Sequence, residues 1–198
     1  MVELNLNGYT DVPAGKIANV ATCLEIRALP ARRGVAPEGV RLERVAHATL
    51  GWYRDLFRRI GEHWLWFSRL VLPEEELRAI LCDERTQIWK IVRDERDIGL
   101  IELDLRDMPS IELAFFGIVP EAVGGGIGRW MMDEALALAF AQNPERVWVH
   151  TCTLDHPSAL PFYMSCGFTP YKRSIEVADD PRLTGVLPKS ATPQLPIL

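Results

Sequence analysis

Apolar positions recur along this chain in two rhythms, short runs of strand length and longer stretches with a period near 3.6. An apolar run from Ile17 to Ala28 predicts a first strand. Leu29–Val40, carrying proline, glycine and arginine, predicts a loop. From Leu50 to Phe67 the residues Leu50, Tyr53, Leu56, Phe57, Ile60 and Trp64 recur at helical spacing and predict one helix. Pro73-Glu74-Glu75-Glu76 opens a second, because proline suits the first helical position and acids suit the positive end of the helix dipole. It continues through Leu77, Ile80 and Leu81.

Three segments rich in β-branched and aromatic residues follow: Gln87–Arg93, Ile98–Leu105 and Ser110–Val119. Only the short polar turns Asp94–Asp97 and Arg106–Pro109 separate them, which predicts an antiparallel meander. A helix from Gly126 to Gln142, a strand at Arg146–Thr151, a helix at Ser158–Cys166 and a strand at Phe168–Val177 complete the pattern. The order predicts an α/β (α+β) fold, a mixed and mostly antiparallel sheet flanked by helices. Residues 1–178 read as one domain. Residues 179–198 are rich in proline and lack a period, so they read as a C-terminal tail, either disordered or an extended arm packed on the body or a partner.

Composition narrows the field. The 198 residues suit one domain with a full core, since 48% are hydrophobic. A net charge of -5 argues against a nucleic-acid partner, which needs a basic face. No apolar run reaches the ~18–20 residues that cross a bilayer, so no membrane partner is expected. The opening stretch Met1–Asp11 lacks the basic and apolar regions of a secretion signal. Cys23, Cys82, Cys152 and Cys166 form no CxxC pair, which suits reduced thiols in a cytoplasmic protein. The scattered histidines and cysteines predict no metal site.

The chemistry concentrates where the meander meets the long helix. In Val119-Pro120-Glu121-Ala122-Val123-Gly124-Gly125-Gly126-Ile127-Gly128-Arg129, four glycines fall within five positions. A glycine-rich turn entering a helix aims unpaired N–H groups at the positive end of the dipole, a site for phosphate or pyrophosphate. Arg129 is expected to add charge. No Gly-Lys-Ser/Thr follows, and the six-residue dinucleotide spacing fails because Arg129 occupies its last glycine position, so both nucleotide readings are poor.

This segment resembles the acyl-CoA signature of the GNAT N-acyltransferases. Gly126-Ile127-Gly128 fills the family's G-x-G, with Val119-Pro120 at the strand end. Ala159-Leu160-Pro161-Phe162-Tyr163-Met164-Ser165-Cys166-Gly167-Phe168 is similar to its A-x-x-F-Y-x-x-x-G-F segment. The order of elements agrees from Ile17 to Val177. Val123 stands where the signature carries Gln or Arg, so the backbone amides from Gly124 to Arg129 are left to bind pyrophosphate. Asp155-His156 replaces the Asn common before the second motif.

The resemblance implies transfer of an acetyl group from acetyl-CoA to an amine without a covalent enzyme intermediate. Backbone groups of Phe116 to Val119, with Ile118 between, would align the pantetheine, and Tyr163 would be the general acid that protonates the leaving thiolate. Glu112 falls at the position of a catalytic glutamate in one branch of the family. Strand alternation places Glu112, Ala114 and Phe116 on one face, where apolar flanks suit a carboxylate base. Glu102 on the neighbouring strand is the alternative, as base or as a contact to a cationic substrate. Trp64 and Trp66, with Phe67, fall where the family builds its acceptor pocket. His63, His150 and His156 show no partner in the sequence and read as structural or surface residues, His156 at the edge of the site. The acceptor is a small-molecule or protein amine, a homodimer is compatible with the family, and no metal is implied. A CoA-binding sensor of the same fold, without turnover, is the rival reading.

Overall fold

The computed structural model describes residues 4–31 and 34–198, so Arg32 and Arg33 of the predicted loop, and the first three residues, lie outside it. Seven strands form one sheet in the order β2-β3-β4-β5-β6-β1-β7. They are β1 (Lys16–Ile26), β2 (Val40–Arg44), β3 (Thr86–Arg93), β4 (Arg96–Asp104), β5 (Ser110–Ile118), β6 (Arg146–Cys152) and β7 (Thr169–Asp179). All neighbours are antiparallel except β5 and β6. The predicted mixed, mostly antiparallel architecture is therefore the observed one. β2, at the sheet edge against β3, falls between the predicted loop and the first helix; its five residues are too few for period two to stand out.

Five helices cover the sheet: α1 (Leu50–Gly61), α2 (Ser68–Val71), α3 (Glu74–Cys82), α4 (Ile127–Phe140) and α5 (Ala159–Ser165). Thr49 caps α1, its hydroxyl accepting from the Trp52 amide at 3.3 Å, and Tyr53, Leu56, Phe57 and Ile60 bury the stripe the sequence marked. Tyr53, Phe57 and Ile60 pack on the face of the sheet that carries Glu102, Phe115 and Gly117. Phe162 and Tyr163 of α5 pack against Phe116 on the opposite face.

The predicted helix Leu50–Phe67 is corrected. It ends at Gly61, passes through one 3-10 turn at Glu62–Trp64, and reverses at Leu65, whose φ is 52°. Trp66 folds back onto the helix it would have extended. A Cβ on Gly61 would lie 2.2 Å from the Trp66 Cβ, so only glycine admits this return. Gly61→Ala is expected to cost about 1–3 kcal/mol through overpacking and to loosen the turn that carries Trp64; urea unfolding and tryptophan fluorescence would read both.

The segment after Asp179 packs on the body. Asp180 and Arg182 form a buried ion pair at 2.7 Å, and Arg182 also donates to the Ala191, Thr192 and Leu195 carbonyls. Leu187 and Ala191 join Ile17 and Leu65 in a second small core. The Thr192 hydroxyl donates to the His63 carbonyl at 2.8 Å, tying this segment to the 3-10 turn.

Candidate active site

Two strands that start as neighbours separate at the centre of the sheet. The parallel pairing of β5 with β6 joins Ser110–Glu112 to Arg146–Trp148 and stops there. β5 continues along β4 to Ile118, and β6 continues along β1 to Cys152. The result is a wedge with an unpaired strand edge on each side, and those peptide groups require partners. A strand points its peptide groups alternately to its two neighbours. Val119 donates its N–H to Ile98 of β4 at 2.9 Å, so Ile118 and Phe116 turn theirs into the wedge. Val119 is corrected as a site residue: its amide belongs to the β4 ladder and its side chain to the core.

One end of β5 feeds the glycine loop. Gly124, Gly125 and Gly126 adopt φ of 109°, 58° and 80°, a region that side chains disfavour. A Cβ at any of them would meet nothing within 4 Å, so dihedral angle, not space, demands glycine. The amides of Gly124, Gly125, Gly126, Gly128 and Arg129 have no acceptor among the described residues, and the dipole of α4 makes this end positive. Ile127 folds its own amide back to Gly124 at 3.4 Å, and its side chain is buried. The Arg129 side chain is corrected: its guanidinium bonds Ser165 and Cys166 and stacks over Phe162, bracing α4 against α5. What Arg129 offers an anion is its backbone N–H.

Beside the wedge, Tyr163 is buried among Phe116, Phe162 and Phe168, with ring centroids at 6.3, 5.7 and 5.9 Å. Its hydroxyl makes no hydrogen bond among the described residues. Burial, and then the Asp155 carboxylate, raise the phenol's pKa, so it holds its proton throughout the neutral range. Asp155 accepts from Trp66 Nε1 at 3.1 Å, from the Thr151 hydroxyl at 2.8 Å and from the Cys152 amide at 2.7 Å. It thereby ties the end of β6 to the returning Trp66.

The other face of the wedge carries a second group. Residues paired across a ladder share a face. Glu112 pairs with Asp104 and Trp148, Phe115 with Glu102, and Phe116 with Ile101, so Glu112 and Phe116 are on opposite faces. This corrects the predicted alternation. The register shifts at Ala114, which pairs with nothing, and the bulge inverts the faces beyond it. Glu112 therefore sits at the apex of the wedge on the α1 side, and His150 Nδ1 of β6 lies 3.4 Å from its Oε1. Hydrogen bonding to Glu112 raises the His150 pKa above its ordinary value, burial opposes this, and Asp155 and Glu176 add to it. Cys152, two residues along the same strand, has its thiol pushed up to about 11 by burial and Asp155, so it stays protonated and is no nucleophile.

Residues 48–168 match the sequence model of the acetyltransferase (GNAT) family. The chain belongs to the GNAT family. Solved structures similar to it include a GCN5-related N-acetyltransferase from Sphaerobacter thermophilus, 11% identical at a TM-score of 0.59, covering 88% of this chain and 54% of that one. An aminoglycoside acetyltransferase from an uncultured soil metagenomic sample is 19% identical at a TM-score of 0.53, covering 65% and 87%. A tandem GNAT protein from the clavulanic acid biosynthesis pathway is 17% identical at 0.52, covering 86% and 55%. At these identities the likeness is one of fold. The chain spans about half the length of the first and third. No curated protein sequence matches it.

Within this GNAT chain the sequence-predicted residues separate into three groups. Phe116, Ile118, Tyr163 and the amides of the glycine loop converge on the wedge, and Glu112 stands at its apex. Glu102 does not belong with them: it is fully buried, ion-paired with Arg69 and bonded by the Tyr53 hydroxyl. Its replacement as a site residue follows from this sealing, which leaves no path to an incoming amine. Trp66 is half-consumed by packing on Gly61, Gly117, Phe57 and Phe115, whereas Trp64 meets His156 edge-on at 5.0 Å and forms a lip. Among the described residues no group of His, Cys, Asp and Glu could hold a metal ion.

Sequence reasoning missed His150 and the bracing role of Asp155. The alternation Val147-Trp148-Val149-His150 carried a usable signal, since buried valines place Trp148 and His150 together on the other face. Its partner Glu112 is 38 residues away, and only the sheet topology joins them.

Proposed function

We propose that this GNAT protein transfers an acetyl group from acetyl-CoA directly to an amine. The observation that carries the reading is the opened β5–β6 wedge, which connects the unpaired amides of the glycine loop to the Tyr163 phenol. The pyrophosphate would rest on the amides of Gly124, Gly125, Gly126, Gly128 and Arg129, and the pantetheine would extend the β5 edge through Phe116 and Ile118. An amine entering from the α1 face, past Trp64, attacks the thioester carbonyl carbon with its lone pair. A wedge N–H stabilises the oxyanion, the C–S bond breaks, and Tyr163 gives its proton to the thiolate. The amide nitrogen then sheds the proton that restores the phenol through water.

None of the four cysteines is in a disulfide, and no helix of the described residues is long and apolar enough to cross a membrane. Both suit the cytoplasmic assignment that forms part of this proposal, with a small-molecule or protein amine as partner, a homodimer compatible, and no nucleic acid.

Calorimetric titration with acetyl-CoA, alongside ATP and NAD, tests the cosubstrate, and thiol release with added amines tests transfer. Binding of ATP or NAD in place of acetyl-CoA would overturn the proposal. One observation favours the sensor reading: Val123 is 62% exposed where a donor would grip pyrophosphate, and Arg129 is engaged elsewhere. Acetyl-CoA binding with no CoA released by any amine would establish it. Val123→Arg is expected to tighten acetyl-CoA by about tenfold, the lower end for a hydrogen bond to a charged group at an exposed position. An unchanged Kd would mean that the loop does not meet the pyrophosphate.

A further inference from the structure

We propose that His150 is the general base of this site and that Glu112 is its positioning residue. The inference rests on the acyl-transfer reading and reassigns the proton that Glu112 was expected to take. The geometry is that of the wedge. β5 and β6 part just beyond Glu112 and Trp148, and the first residue of β6 past this point that shares the face of Glu112 is His150. Its Nδ1 turns to the carboxylate, which leaves Nε2 for the amine, and its side chain is half exposed. Glu112 is the less exposed partner, at 24%. An amine approaching from the α1 face therefore meets the imidazole before the carboxylate. Tyr163 is on the opposite face, beside Phe116. The thioester would lie between them, with base and acid on the two sides of the sheet.

The surroundings of His150 suit a base that works near neutrality. Glu112 faces it from β5, Asp155 from the turn after β6, and Glu176 from β7. On β1, Cys23 is its ladder partner, with Glu25 on the same face, held by Arg27 and Arg146; Lys172 of β7 pairs with Cys23. Cys152 stays a thiol. The carboxylates stabilise the imidazolium, so its pKa is raised above the usual histidine value of about 6.5. Asn19, buried on the same face, holds Glu176 through its Nδ2 at 2.8 Å.

The proton count closes. The ammonium form of the acceptor gives one proton to His150 Nε2, and the resulting imidazolium is held by Glu112. The freed amine attacks, the C–S bond breaks, and Tyr163 protonates the thiolate. The second nitrogen proton returns to the phenolate through water, and His150 releases its own to solvent. The net products are the amide, CoA thiol and one proton.

The test compares pH–rate profiles of the wild-type protein, His150→Gln and Glu112→Gln, with saturating acetyl-CoA and with spermidine or phenethylamine as acceptor. CoA thiol is the readout. The wild-type rate should rise with pH along an acidic limb above 6.5, as His150 loses its proton. Glu112→Gln should shift that limb down, the sign expected when a carboxylate is taken from an imidazolium, and should lower the plateau less than His150→Gln does. His150→Gln should lose about 100-fold or more and flatten the limb, with acetyl-CoA affinity unchanged. NMR titration of the His150 imidazole should give the same downward shift in Glu112→Gln without any turnover. Abolished turnover in Glu112→Gln at every pH, with the limb intact in His150→Gln, would overturn the inference and make Glu112 the base. Wild-type protein that binds acetyl-CoA but releases no CoA with these or any other amine would instead overturn the acyl-transfer reading, and the inference with it.

Discussion

Tyr163→Phe is expected to lower kcat by about 10²–10⁴-fold, the span that a positioned acid contributes, while leaving acetyl-CoA affinity within a few-fold of wild type. The two effects separate because the phenol is buried by its ring and functional only by its hydroxyl. Its ring contacts with Phe116, Phe162 and Phe168 are kept by phenylalanine. Its oxygen makes no hydrogen bond among the described residues, so deleting it orphans no partner there. The hydroxyl is thus dispensable to packing. Burial and Asp155 hold the phenol protonated, so the acid is present over the whole neutral range. The basic limb of the pH–rate profile should then lie well above pH 10 in wild-type protein. Single-turnover thiol release would separate the chemical step from binding. Equal losses in kcat and in acetyl-CoA affinity would assign Tyr163 to packing and remove the acid from the mechanism.

The difference between what was legible in the sequence and what was not follows the range over which each feature is encoded. The glycine loop is local: three consecutive positive φ angles require glycine at consecutive positions, so the sequence displays the loop directly. The α1 stripe and the meander are also local, since periodicity and turn length suffice to reveal them. The wedge is different. It exists because β6 leaves β5 after Trp148, and no residue near either strand announces that departure. The bulge at Ala114 is equally silent, yet one extra residue inverts the face of every later side chain on β5. That is why the expected grouping of Glu112 with Phe116 failed. The break at Gly61 required knowing that a tryptophan five residues on would return to it. Glu102 shows the same limit from the other direction. Its apolar neighbours marked burial, but Arg69 is 33 residues away on a helix of four residues.

Arg69→Met should destabilise the protein by about 3–5 kcal/mol, the usual cost of removing one partner from a buried ion pair. Glu102 is fully buried and Arg69 is 13% exposed, so the carboxylate left behind has little water to replace the guanidinium. The Tyr53 hydroxyl would be its one remaining donor among the described residues. Against a total stability of about 5–15 kcal/mol for a single domain, this loss approaches unfolding. Arg69→Met combined with Glu102→Leu should recover most of it, because an apolar pair buries no charge. Urea midpoints for the two single variants and the double variant would measure the coupling. The pair also fixes the acceptor side of the site. Arg69 is on α2, directly after the turn that carries Trp64 and Trp66, and its guanidinium packs over the Phe115 ring at 5.0 Å. The double variant, folded but without this anchor, should therefore raise the KM for the amine more than that for acetyl-CoA. Glu102→Gln decides the older alternative for the base. As a structural residue it should alter the urea midpoint and leave the acidic limb of the pH–rate profile in place. A displaced limb would return Glu102 to the reaction, and would require the buried pair to open during turnover.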